Sequence, residues 1–110
     1  MIDWDRVNQL KDEIGEEDFQ EVVDMFLDEM NEEVDSLTPG MGAQDLEAKL
    51  HFLKGAALNL GFSAFADLCK TGEEAARDGQ TDAIDTAAVM TCYKKSIDAF
   101  GENAPGSAAA

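Results

Sequence analysis

The residues of this chain best suited to chemistry are His51, its only histidine, with Lys54 and Gly55 behind it. Spacings of i, i+3 and i+4 put all three on one face if the segment is helical. A neutral imidazole is a nucleophile, and an ammonium one turn away offsets negative charge that arrives on it. The absent side chain at position 55 leaves room for a donor to come close. That set suits a histidine that accepts a phosphoryl group. Two plainer readings fit the same residues. One is a solvated surface histidine; the other is a cation site shared by Glu47 and His51 at i, i+4, a poor one with a single imidazole. Gly55 weighs against the first, because a glycine inside a helix costs roughly 1 kcal/mol relative to alanine and calls for some compensation, such as the close approach of another protein.

The sequence lacks the motifs of other chemistries. It contains no GxxxxGK[ST] or GxGxxG loop, no GxSxG and no HExxH, which argues against a self-contained nucleotide-using enzyme. Cys69 and Cys92 have no CxxC spacing, so buried reduced thiols are expected, with a disulfide as the alternative. No metal site and no bound cofactor are expected. In 110 residues, 24 Asp and Glu against 8 Lys and Arg give a net charge of −16, which repels nucleic acid and anionic membranes. An apolar content of 45% is that of a globular chain of one domain. No window approaches the roughly 18 apolar residues of a membrane span. No secretory signal is visible at the N-terminus, so a cytoplasmic protein is expected.

The elements that must position His51 are helical almost throughout. Asp3 can cap a first helix over about 4–13, with Trp4, Val7, Leu10 and Ile14 on one stripe and Gly15 closing it. A second, about 17–37, carries Phe19, Val23, Phe26, Met30, Val34 and Leu37, and Met25, Met30 and Met90 are expected as core fillers. The loop around Pro39 separates it from a third helix, about 43–60, whose inner stripe is Leu46, Leu50, Leu53, Ala57 and Leu60. At about 100° per residue, Glu47, His51, Lys54, Gly55, Leu58 and Phe62 then share a different, exposed face. Gly61 ends this helix. Ser63 is expected to cap a fourth, ending near Asp78 and Gly79, with Phe65, Leu68, Cys69, Gly72 and Ala76 inward. Thr81 is expected to cap a fifth over about 82–100, with Ala83, Thr86, Met90, Tyr93, Ile97 and Phe100 on its stripe. Short connections favour an all-α, antiparallel up-down-up-down four-helix bundle with the short first helix covering one end. The expected domain is 1–100, followed by a flexible tail, 101–110, which contains Pro105.

The segment His51-Phe52-Leu53-Lys54-Gly55-Ala56-Ala57-Leu58-Asn59-Leu60-Gly61 closely resembles the HxxKGxxxxxG signature of histidine-containing phosphotransfer (HPt) domains of bacterial and plant phosphorelays. The resemblance extends through the segment from Phe62 to Arg77, which looks like the family's next helix, and to about Phe100 in length and helix order. It implies that His51 is the phosphoacceptor, attacking through Nε2, and that Lys54 contacts the phosphoryl oxygens. It implies that Gly55 keeps the docking surface flat and that Gly61 sets the turn into the fourth helix. Leu58, Phe62 and Phe52 would form an apolar rim for the partner; Phe62 could instead pack over the end of the third helix. A Gln or Glu on the fourth helix of this family often bonds the histidine Nδ1, and Glu73 falls at that spacing, although Gly72 replaces the aliphatic residue usual just before it.

The implied function is transfer of a phosphoryl group between phospho-aspartates of receiver domains, in response regulators or hybrid histidine kinases, without kinase activity in this chain. Mg²⁺ would come from the receiver, and the protein would be a free-standing, monomeric intermediate. The rival is an acidic helical bundle that holds a partner without chemistry.

Overall fold

The computed structural model describes residues 2–38 and 40–103, which form five α-helices and one short 3-10 turn; among the described residues there is no strand. Helix α1, Trp4–Ile14, starts at Asp3, whose carboxylate accepts the Arg6 N–H at 3.2 Å as the sequence leads one to expect. Gly15, at φ +98°, ends it and returns its own N–H to the Lys11 carbonyl at 2.8 Å. Helix α2, Glu16–Asp35, follows at once, with Glu16, Glu17 and Asp18 against the positive end of its dipole. It buries Phe19, Val23, Met30 and Val34. Met25 is half exposed rather than a core filler, because two residues past Val23 is a rotation of roughly 200° away from the core.

Helix α3, Ala43–Leu60, has the expected bounds and inner face. Helix α4, Ser63–Arg77, begins at Ser63 itself; the capping position falls to Phe62, with no side-chain cap bond. The start of the last helix also differs from expectation. Thr81 opens a 3-10 turn, Thr81–Ala83, Ile84 is extended, and α5, Thr86–Asn103, is capped by Asp85, which accepts the Ala88 N–H at 3.1 Å. The buried stripe of α5 is accordingly Val89, Tyr93, Ser96 and Phe100, while Ala83 is exposed and Thr86, Met90 and Ile97 sit at its flanks. Helix α5 continues to Asn103, three residues into the expected tail; Pro39 and Pro105 lie outside the described residues.

Specific pairs tie the helices together. Lys49 of α3 meets Glu33 of α2 at 3.2 Å, and Tyr93 of α5 donates its hydroxyl to Asn31 Oδ1 of α2 at 2.5 Å. Phe65 of α4 and Tyr93 place their ring centroids 5.3 Å apart. Gly72 lets α4 come close to α3: a Cβ there would stand 2.9 Å from Leu50 Cδ1, so Leu50 occupies the space an aliphatic residue at 72 would need. Both cysteines are free, Cys69 fully buried and Cys92 only partly so, against the expectation that both are buried. Burial pushes the Cys69 thiol up to about 12, with Cys92 and Glu73 adding to the effect.

Helix α1 closes the end of the molecule where α3 turns into α4. Asp3 N–H donates to the Gly61 carbonyl at 2.6 Å, Arg6 Nε donates to the Asn59 carbonyl at 3.2 Å, and Trp4 stacks on Phe100 at 5.8 Å. Gly61 is required twice over in this corner. Its φ of +78° disfavours any side chain, and a Cβ would stand 2.6 Å from the Asp3 carbonyl oxygen. Gly61→Ala is expected to destabilise the fold by at least about 1–2 kcal/mol from the left-handed backbone alone. A lower midpoint in urea at unchanged slope checks it.

Candidate functional site

Helix α3 turns His51 outward because its neighbours Leu50 and Leu53 are claimed by the core, where neither has any exposed surface. The imidazole is 70% exposed, yet its Nδ1 lies 2.8 Å from Glu73 Oε2, on a side chain that is only 4% exposed. Glu73 sits on the edge of the buried face of α4, beside Gly72, where α3 and α4 come close. A carboxylate only accepts, so Nδ1 carries the proton and Nε2 presents a lone pair to solvent.

Glu73 is the hub of a charged cluster. Lys54 Nζ lies 2.6 Å from Oε1 as an ion pair, and among the described residues Oε1 has no other polar partner. Oε2 receives, besides His51, the Arg77 Nη2 at 3.2 Å. Arg77 Nε in turn donates to Glu47 Oε2 at 3.0 Å. The Lys54 ammonium first, and the His51 bond after it, hold the Glu73 carboxyl below the usual carboxylate range against the opposing effect of burial. Glu47 and His51, weighed from the sequence as a cation pair, thus face different partners. Among the described residues no three His, Cys, Asp or Glu side chains gather as metal ligands.

The ring of His51 stands between two shallow recesses. One, toward α2, is lined by Phe26, Phe52, Gly55 and Asn59; the other, toward α4, by Gln44, Glu47, Glu73 and Arg77. Phe52 and Leu58 are exposed on this side of the molecule, 41% and 56% respectively. A Cβ on Gly55 would meet nothing within 4 Å, so nothing among the described residues demands glycine there.

Phe62 does not belong to this surface. The left-handed turn at Gly61 takes the chain out of helical phase and drops Phe62 into the core, with no exposed surface and its ring edge-on to Phe100 at 5.6 Å. Of the three side chains expected in an apolar rim, Phe52 and Leu58 are exposed, while Phe62 follows the other reading and packs at the end of α3. Arg77 is not legible in the sequence as a neighbour of this cluster, whereas Glu47 is, on the face it shares with His51. The only signal is that Arg77 follows Glu73 by four positions and Glu47 precedes His51 by four, which matters once the register between α3 and α4 is known.

The family model of the Hpt domain matches residues 21–102 of the 110, from within α2 through nearly all of α5. The chain belongs to the Hpt domain family, whose members serve histidine phosphotransfer in two-component signalling. No curated protein and no solved structure matches it. Among the described residues no helix is long and apolar enough to cross a membrane.

Proposed function

We propose that this chain is a phosphohistidine carrier that takes a phosphoryl group from a phospho-aspartate of one receiver domain and passes it to an aspartate of another. The observation that carries the reading is the solvent-facing imidazole whose Nδ1 is bonded to a buried, ionised Glu73. In that tautomer Nε2 needs no base. Its lone pair forms the N–P bond in line as the P–O bond to the receiver's aspartate breaks, and the electron pair leaves on that carboxylate. The ring becomes positively charged as the bond forms, and Glu73 offsets that charge through Nδ1–H. Lys54, one turn along α3, is the cation within reach of the phosphoryl oxygens. The receiver brings Mg²⁺ and the ligands that hold it.

Gly55, Leu58 and Phe52 serve as the docking surface: the glycine keeps the helix low where the donor must approach, and the two exposed apolar side chains are available for burial against it. The helix pairings support an antiparallel up-down-up-down bundle. Between α3 and α4 residue 47 lies by 77 and 50 by 72, and toward α5 residue 62 lies by 100 and 65 by 93, so in both pairings one partner's number falls as the other's rises; α2 meets α3 through 33 and 49.

The test is incubation with a panel of radiolabelled, phosphorylated receiver domains, with His51→Gln in parallel. Acid-labile, base-stable label on the wild type and none on the variant is the expected result. Absence of label from every receiver, while a receiver is still retained in pull-downs, would replace this reading with that of a binding module without chemistry.

A further inference from the structure

On the reading just given, Lys54 is the cation that turns toward the phosphoryl group, and its ammonium lies 2.6 Å from Oε1 in the resting protein. Apart from Lys54, Oε1 has no polar partner among the described residues. A buried carboxylate stripped of its nearest cation is driven to take up a proton. A protonated Glu73 could donate to Nδ1, which would move the imidazole proton to Nε2 and mask the nucleophile. Something must hold the carboxylate while Lys54 is away.

The groups around Glu73 single out one candidate. From α3 it faces His51 and Lys54; from its own helix, Arg77 and the Cys69 thiol, on which Cys92 of α5 also acts. Cys69, pushed up to about 12, is neutral. His51 is committed to the reaction and Lys54 to the phosphoryl group. Arg77 remains, and it touches Oε2, the oxygen that His51 uses, rather than the one Lys54 covers. It is also fastened from outside, because Glu47 of α3 takes its Nε at 3.0 Å. The Arg77 side chain is 60% exposed, and its guanidinium forks between the two carboxylates, a geometry that lysine cannot reproduce.

We propose that Arg77, anchored by Glu47, is the resident partner of Glu73 and acts as a positioning residue. It keeps that carboxylate on His51 Nδ1 while Lys54 moves between Glu73 and the phosphoryl group. Lys54 is thus the exchangeable cation of the cluster and Arg77 the permanent one.

The experiment is a carbon-detected NMR titration of the Glu73 carboxyl in the wild type, K54Q, R77Q and the K54Q/R77Q pair, with circular dichroism confirming that each is folded. K54Q is expected to raise the Glu73 midpoint and the pair to raise it by about one further pH unit, the scale of an opposite charge removed from contact distance. A pair that titrates with K54Q overturns the proposal. Transfer kinetics supply the second readout. R77Q is expected to move the acid limb of the rate profile upward, E47Q to move it less, and R77K to restore it in part. A loss in R77Q confined to KM, with the acid limb in place, would make Arg77 a docking residue and also overturn the proposal. Failure of the wild type to accept label overturns the relay reading itself, a result distinct from either, since the titration needs no phosphoryl donor.

Discussion

Phe62→Ala is expected to lower the unfolding free energy by about 3–5 kcal/mol, the range for truncating a buried phenylalanine. Phe62 has no exposed surface and lies edge-on to Phe100, which in turn stacks on Trp4, so one ring joins the α3–α4 corner to both α5 and α1. The cavity cannot easily collapse, because Gly61 beside it is fixed by its positive φ and by the bond from Asp3. Urea denaturation followed by helical circular dichroism measures the loss. A residue of the docking rim would behave in the opposite way, leaving stability within about 0.5 kcal/mol and weakening the receiver complex. Leu58→Ala, more than half exposed, is the matched control for that behaviour.

The contrast between Phe62 and His51 shows what could be read from the sequence. Within α3 the apolar stripe is continuous and both ends are marked by glycine, so helical phase alone turns His51, Lys54 and Gly55 away from the core. The same phase extended past Gly61 puts Phe62 on that face as well. Gly61 stops the helix, and every angle assigned beyond it, Phe62 included, loses its meaning. The start of α5 departs from the sequence expectation for a related reason. Thr81 is a good capping residue, but extended Ile84 breaks the run, and Asp85, an equally good cap one turn later, takes the role. In both places a local rule was sound and its neighbour overrode it.

Glu73 was reachable only through the family resemblance. One carboxylate among 24 acids has no local mark of burial, and the hydrophobic pattern of α4 does not require it inside. Its position depends on how α4 registers on α3, which Gly72 and Leu50 set by contact at a distance of 22 positions in the chain. The same register brings Arg77 over Glu47 and Glu73, so the whole cluster became visible together. The departure at Gly72 from the family's usual aliphatic residue also has its reason there, since Leu50 already fills the site.

Glu73→Leu is expected to slow phosphoryl transfer to His51 by about 10–100-fold, the usual cost of removing the group that orients a reacting imidazole. Stability at neutral pH should change little, because Lys54 and Arg77 can turn to solvent and a buried charge replaced by an apolar group of similar size is often neutral or favourable. Glu73→Gln separates orientation from charge: its amide oxygen can still accept Nδ1–H, so it should retain more transfer than the leucine variant. The two forms also differ in acid. The Glu73 carboxyl is held below its ordinary value of about 4.3 by Lys54 and His51. Its contribution to stability is therefore complete above that value. As pH falls below it, the unfolded chain takes up the proton first, and the contribution fades until the folded carboxyl also protonates. Glu73→Gln has no such proton to bind, so the stability difference between wild type and variant should narrow as pH falls through and below the ordinary glutamate value of about 4.3. Denaturation midpoints of both proteins across that range test it, the other carboxylates being common to the two; a difference that stays constant would mean that Lys54 and His51 do not favour the ionised form of Glu73 in the folded protein.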